Sequence, residues 1–211
     1  GLPSRYLRFQ PTLAGMEVVH WAAHMLGLPD AREVIALATE APPGANGVIF
    51  LPYLSPAGER APFLDPSARG SFWNLSLSHS RADIALAVLE GLCMVIRDCL
   101  EAIGVKPSEL RLSGGGTTSP VLCQMLVDVT GVPAQRAVSS ELTCRGAALY
   151  ALLAQGHAST LSEWQTSARD SWSPDPQRMS FYTQQFTEFQ RFRDIARANW
   201  RATGVDAGHR S

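Results

Sequence analysis

Leu110-Arg111-Leu112, then Ser113-Gly114-Gly115-Gly116-Thr117-Thr118, then Ser119-Pro120, is the stretch of this sequence best suited to holding a ligand. Glycines directly after a short strand let the main chain lie close to a bound group, where a Cβ would stand in the way. Ser119 is a good helix N-cap and Pro120 suits the first helical position, so a helix is predicted to about Thr130, ending at Gly131. The start of that helix offers a ligand unpaired N–H groups and the positive end of a dipole. Taken alone, three glycines in a turn are as often a plain structural need. The dinucleotide fingerprint fits poorly: Ser119 stands where its third glycine should be, and Ser139 and Ser140 close the next strand without an acid. A Walker A loop is excluded, because Lys106 is the only lysine and no Gly-Lys-Ser/Thr exists.

Other candidates for chemistry have simpler explanations. His20 and His24 lie four apart on a predicted helix with Glu17 one turn earlier, but no third ligand stands near them in sequence. They read as surface histidines beside Trp21. Asp83 belongs to a Ser-x-x-Asp capping box opened by Ser80, and Glu59-Arg60 reads as an ion pair that fixes a loop. Cys93, Cys99, Cys123 and Cys144 form no CxxC pair, and each sits in an apolar helical pattern. All four are expected as buried free thiols.

The elements that must hold these groups alternate between helix and short strand, which predicts an α/β fold. Helices are expected over about 13–26, 31–39, 80–103, 120–130, 141–155 and 181–202, and strands at 47–51, 71–77, 110–112 and 137–139. The proline- and glycine-rich stretch 52–70 is too apolar for a linker and is expected to pack as an ordered loop. Residues 157–180 are expected to form a surface connection and 181–202 a closing helix. At 211 residues with 45% hydrophobic and 18% charged side chains, the chain can bury a sizeable core. A net charge of −1 argues against nucleic acid or a membrane surface as partner. No apolar run reaches membrane-spanning length, and the expected location is cytoplasmic.

A resemblance joins these observations. Phe50-Leu51-Pro52-Tyr53-Leu54-Ser55, Gly58-Glu59-Arg60-Ala61-Pro62-Phe63 and Asp65-Pro66-Ser67-Ala68-Arg69-Gly70 resemble, in order, one signature segment of the FGGY carbohydrate kinases. Leu77 to Gly91 resembles a second, and Leu112 to Pro120, with Asp128 and Gly131-Val132-Pro133 behind it, resembles the family's adenosine-binding motif. Within the family the likeness is greatest to xylulokinases, while the inserted Pro56-Ala57 is closer to erythritol-kinase-like members.

This resemblance implies a ribonuclease H-like, actin-like ATPase domain: the C-terminal half of a sugar kinase, without the opening strands of its sheet, over residues 1–211. It implies ATP and Mg²⁺ as cofactors, a sugar or polyol as substrate, the family's N-terminal kinase domain as partner, and possible homodimers. It places Gly115, Gly116 and Ser119 against the adenine, and Gly15, Met16 and His20 near the nucleotide. The family's catalytic aspartate, its metal-linked aspartate and its phosphate-contacting glycine-threonine turn match no residue here, so this chain alone is expected to be inactive. A polyol kinase and a non-catalytic actin-like nucleotide-binding module remain as alternatives.

Overall fold

A computed structural model describes residues 8–137, 142–156 and 168–202. Helix α1 (Met16–Met25) and helix α2 (Ala31–Ala38) come first, followed by strand β1 (Ile49–Leu51) and strand β2 (Ser71–Trp73). Helix α3 (Arg81–Ile103) is the spine. Behind it come β3 (Leu110–Leu112), α4 (Pro120–Thr130), β4 (Ala134–Ala137), α5 (Leu142–Ala154), β5 (Ala168–Trp172) and α6 (Pro176–Ala202).

Helix α3 is apolar nearly all round between Ala85 and Val95, and a helix of that kind must be covered on several sides. It packs against α1, α2, α4, α6 and β1. The predicted capping box closes its start: the Ser80 N–H donates to Asp83 Oδ2 at 2.7 Å, and the Asp83 N–H donates back to Ser80 Oγ at 3.3 Å. Gly104, at φ +73°, ends it. Gly91 allows the close approach of β1, since a Cβ there would lie 2.5 Å from the carbonyl oxygen of Phe50.

Strands β1 and β2 form an antiparallel pair with Phe50 opposite Phe72. A second sheet has the order β3-β4-β5, with β3 and β4 parallel and β4 and β5 antiparallel. Among the described residues β3 is an edge strand.

Several boundaries differ from expectation. The strand expected over 71–77 stops at Trp73, because Asn74 turns into the left-handed region at φ +63° and its amide donates to the carbonyl of Gly47. The strand expected at 137–139 lies earlier, at Ala134–Ala137, while 138 and 139 fall outside the described residues. The segment 157–180, expected as a surface connection, contains β5, which Arg136 holds through Asp170 at 3.0 Å. The closing helix begins at Pro176 rather than 181. Asp175 caps it, accepting the N–H groups of Gln177 and Arg178 at 2.8 and 3.3 Å.

Two side-chain expectations are corrected. Cys144 is exposed, unlike the buried Cys93, Cys99 and Cys123, since α5 buries little beyond Leu149. Glu59 forms no ion pair with Arg60 among the described residues. Its carboxylate is buried and accepts the N–H groups of Leu13 and Arg60 at 2.7 and 2.8 Å and the hydroxyl of Thr12 at 3.1 Å. Backbone donors, not a cation, thus tie the 58–65 loop to the chain entering α1. Among the described residues no helix is long and apolar enough to cross a membrane.

A second buried carboxyl, Glu90 on α3, accepts the Gly44 N–H at 2.8 Å and the Tyr182 hydroxyl at 2.9 Å, joining α3 to α6. Burial raises its pKa from 4.5 to about 7, against the opposing pull of those two donors. Below about 4.5 the folded and unfolded states both hold the proton, and this stabilising preference is complete. It is lost as pH rises through about 7, where the folded state must bury a charge. Glu90→Gln keeps an acceptor for both donors and removes the ionisation. The variant is expected to melt near wild type at pH 5 and above it at pH 8, by up to about 3 kcal/mol. A melting difference independent of pH would contradict this.

Candidate functional site

Strand β3 delivers the chain into the glycine turn, whose residues Gly115–Thr118 wind into a short 3-10 helix before α4. Gly114 sits at φ +96°, a conformation suited to glycine. The turn is held from within and from behind. Thr117 donates its hydroxyl to the Gly114 carbonyl at 2.7 Å, and Thr118 donates to that of Gly115 at 2.8 Å. The guanidinium of Arg136, fixed by Asp170, donates to the Thr117 carbonyl. Ser119 caps α4 as expected, its oxygen accepting the Leu122 N–H at 3.3 Å.

A cavity of about 330 Å³ opens in front of this turn. Its glycine wall is Gly114, Gly115 and Gly116. Facing them are Gly15 and Met16 at the start of α1, where Met16 lies so near that a Cβ on Gly116 would sit 2.9 Å from its sulfur. The floor comes from α3 and α4, through Cys93, Ile96, Leu122 and Cys123. Burial raises the pKa of both thiols, so they act as neutral, soft apolar groups. This is a concave, mostly apolar site beside a backbone turn, the form in which a planar ring is commonly held.

The structure therefore brings Gly15, Met16, Gly115 and Gly116 to one cavity. Ser119 is next to the turn but serves as the α4 cap and does not line the cavity. His20, one turn beyond Met16, is exposed on α1 and also does not line it. The α3 face with Cys93 and Ile96 and the α4 face with Leu122 and Cys123 were not singled out as binding residues. Their helical spacing marks them as core, and only the tertiary arrangement shows that this part of the core opens onto the turn.

Among the described residues no aspartate, glutamate or histidine lines the cavity. Among the described residues no group of three or more His, Cys, Asp or Glu side chains is placed to hold a metal ion. A magnesium ion does not fit these residues, and no step is assigned through one.

Behind α4, Asp128 is fully buried and accepts the Gln124 amide at 2.8 Å and the Asp175 N–H at 2.9 Å. It thereby locks the helix behind the turn to the start of α6.

Residues 17–155 match the FGGY family of carbohydrate kinases, C-terminal domain. The chain is 34% identical over 196 residues to the xylulose kinase of Escherichia coli (strain K12), a stretch that covers 90% of this chain and 40% of that protein. It is 34% identical over 156 residues to the erythritol kinase of Brucella abortus (strain 2308), covering 72% of this chain and 30% of that one. The structure is similar to that of a ligand-bound xylulose kinase from Lactobacillus acidophilus, with a TM-score of 0.85 at 28% identity over 92% of this chain and 41% of that one. The chain thus spans about 40% of the length of the xylulose kinase to which it is similar, and it corresponds to the C-terminal part. With the fold, the motifs and the matched residues all in one order along the chain, it belongs to the FGGY family of carbohydrate kinases, whose C-terminal domain it forms.

Proposed function

We propose that this chain is the adenosine-binding half of an ATP-dependent sugar kinase that phosphorylates a ketopentose such as xylulose. The observation that carries the reading is the apolar cavity bounded by Gly15, Gly115 and Gly116, in the stretch whose sequence resembles the family's adenosine-binding motif. Gly115 and Gly116 let the backbone lie along the nucleoside, Met16 closes the opposite side, and the α3–α4 floor excludes water beneath the base. The likeness to the Escherichia coli xylulose kinase, which extends over 90% of this chain against 72% for the erythritol kinase, favours xylulose as substrate.

ATP supplies the phosphoryl group, and transfer needs an oriented acceptor hydroxyl, a base for its proton and charge compensation on the phosphates. None of the described residues that line the cavity is a suitable base, and we assign those roles to an N-terminal kinase domain. That domain is the proposed partner, in a cytoplasmic enzyme able to form homodimers.

A second reading, a polyol kinase of the erythritol or glycerol type, is favoured by Pro56-Ala57. These two residues form an exposed turn in which the Ala57 N–H donates to Ser55 Oγ at 3.2 Å. The likeness to an erythritol kinase points the same way.

The test is to incubate the purified chain with ATP, Mg²⁺ and xylulose, ribulose, erythritol or glycerol while following ADP release. No sugar-dependent turnover is expected. Turnover at a typical kinase rate, roughly 1–100 s⁻¹, would show that the reacting groups lie within this chain.

A further inference from the structure

The wall of the cavity that faces the glycine turn is made by Ala14, Gly15 and Met16, where the chain enters α1. Gly15 stands at the N-cap position of that helix, and no side chain caps its first N–H groups. The helix start therefore does not fix its own place opposite the turn. That place is set by the residues just before it.

Those residues are fastened to one buried carboxylate. Glu59, only 1% exposed, accepts the Leu13 N–H on Oε1 at 2.7 Å and the Thr12 hydroxyl on Oε2 at 3.1 Å. The Thr12 oxygen accepts the Ala14 N–H at 3.1 Å in turn. A relay of two hydrogen bonds thus runs from Glu59 through Thr12 to the cavity wall, beside the direct bond to Leu13.

Glu59 is itself held on a stiff platform. Its backbone N–H and carbonyl pair with those of Asp65 at 2.9 and 3.0 Å. Phe63, between the two, packs edge-on against the buried ring of Tyr53 at 5.3 Å between centroids. The Arg60 N–H, donating to Oε1 at 2.8 Å, fixes the direction of the carboxylate. An ionised acceptor makes stronger hydrogen bonds than a neutral one, which suits it to anchoring a separate segment.

On the reading of this cavity as the nucleoside site, we propose that Glu59 is a positioning residue for it. Through Leu13, Thr12 and Ala14 it sets the gap between Met16 and Gly116, and with that gap the affinity for the nucleotide. Glu59 does not line the cavity and acts only through the wall. A gap widened by about 0.5–1 Å forfeits a quarter to a half of the dispersion attraction across it.

The experiment compares the 211-residue chain with Thr12→Val, Glu59→Gln and Glu59→Met, by calorimetric titration with ATP and by NMR of carbon-13-labelled methionine methyls. Thr12→Val keeps the side chain's shape and removes the relay oxygen. Glu59→Gln keeps an oxygen for the Leu13 N–H, whereas Glu59→Met keeps the length and removes every acceptor. Thr12→Val and Glu59→Met are expected to bind ATP at least about tenfold more weakly than wild type, and Glu59→Gln within about tenfold of it. In the two weakened variants the Met16 methyl resonance is expected to move, while those of Met94 and Met125, which line other cavities, stay in place. Thr12→Val decides the question by itself should Glu59→Met not fold. A smaller loss in Thr12→Val, or equal movement of all three methyls, overturns this inference and leaves the nucleoside site standing. Absence of saturable ATP binding by the wild-type chain overturns both.

Discussion

Arg193→Ala is expected to destabilise the domain by about 3–5 kcal/mol, the largest loss among the single substitutions considered. The Arg193 guanidinium on α6 donates to both carboxylate oxygens of Asp98 on α3, and Asp98 is only 4% exposed. Removing the cation leaves a buried carboxylate without its counter-charge, and the penalty of that stranded charge exceeds what the intact pair contributes. Urea denaturation of Arg193→Ala checks the magnitude, and adding Asp98→Asn should recover part of the loss because it removes the stranded charge. A loss below about 1 kcal/mol, the range of a solvent-screened surface pair, would contradict this account of how α6 is fastened.

Gly115→Val is expected to leave the fold intact and weaken ATP binding on the order of a hundredfold. No atom lies within 4 Å of the position its Cβ would take, and Gly115 is not in a left-handed conformation, so nothing in the protein resists the side chain. The space it enters is the cavity itself. Gly116 differs, because its added Cβ would press on the Met16 sulfur and disturb the opposite wall as well. Calorimetric titration with ATP, beside thermal melts, separates binding from stability. Wild-type affinity in Gly115→Val would remove the glycine turn from the nucleotide site.

Features encoded by short-range chemistry were legible in the sequence. The Ser80–Asp83 capping box, Gly104 after α3, and the β3–glycine turn–Ser119–Pro120 unit depend on residues a few positions apart, and they occur where their types predict. Strand β4 was harder to place. Ala134-Gln135-Arg136-Ala137 lacks β-branched and aromatic residues, and it is extended because it pairs with β3 on one side and β5 on the other. The start of α6 was signalled by Asp175-Pro176, a cap and first-turn pair outweighed by the polar segment before it. The exposure of Cys144 and the backbone donors around Glu59 depend on which surfaces meet in three dimensions, and residue spacing does not carry that information. The cavity divides in the same way: its glycines stood out as a turn, while Cys93, Ile96 and Cys123 join it through the packing of α3 on α4.

ATP is proposed to place its base between Met16 and the glycine turn. Photolabelling of the chain with 8-azido-ATP, followed by peptide mapping, tests it directly, because the covalent mark is retained even when binding is weak. The account predicts label confined to peptides that contain residues 14–16, 92–96 or 112–126, the segments that line the cavity, and suppressed by excess ATP. ATP-suppressible label concentrated elsewhere on the chain, with these peptides unmarked, would contradict it.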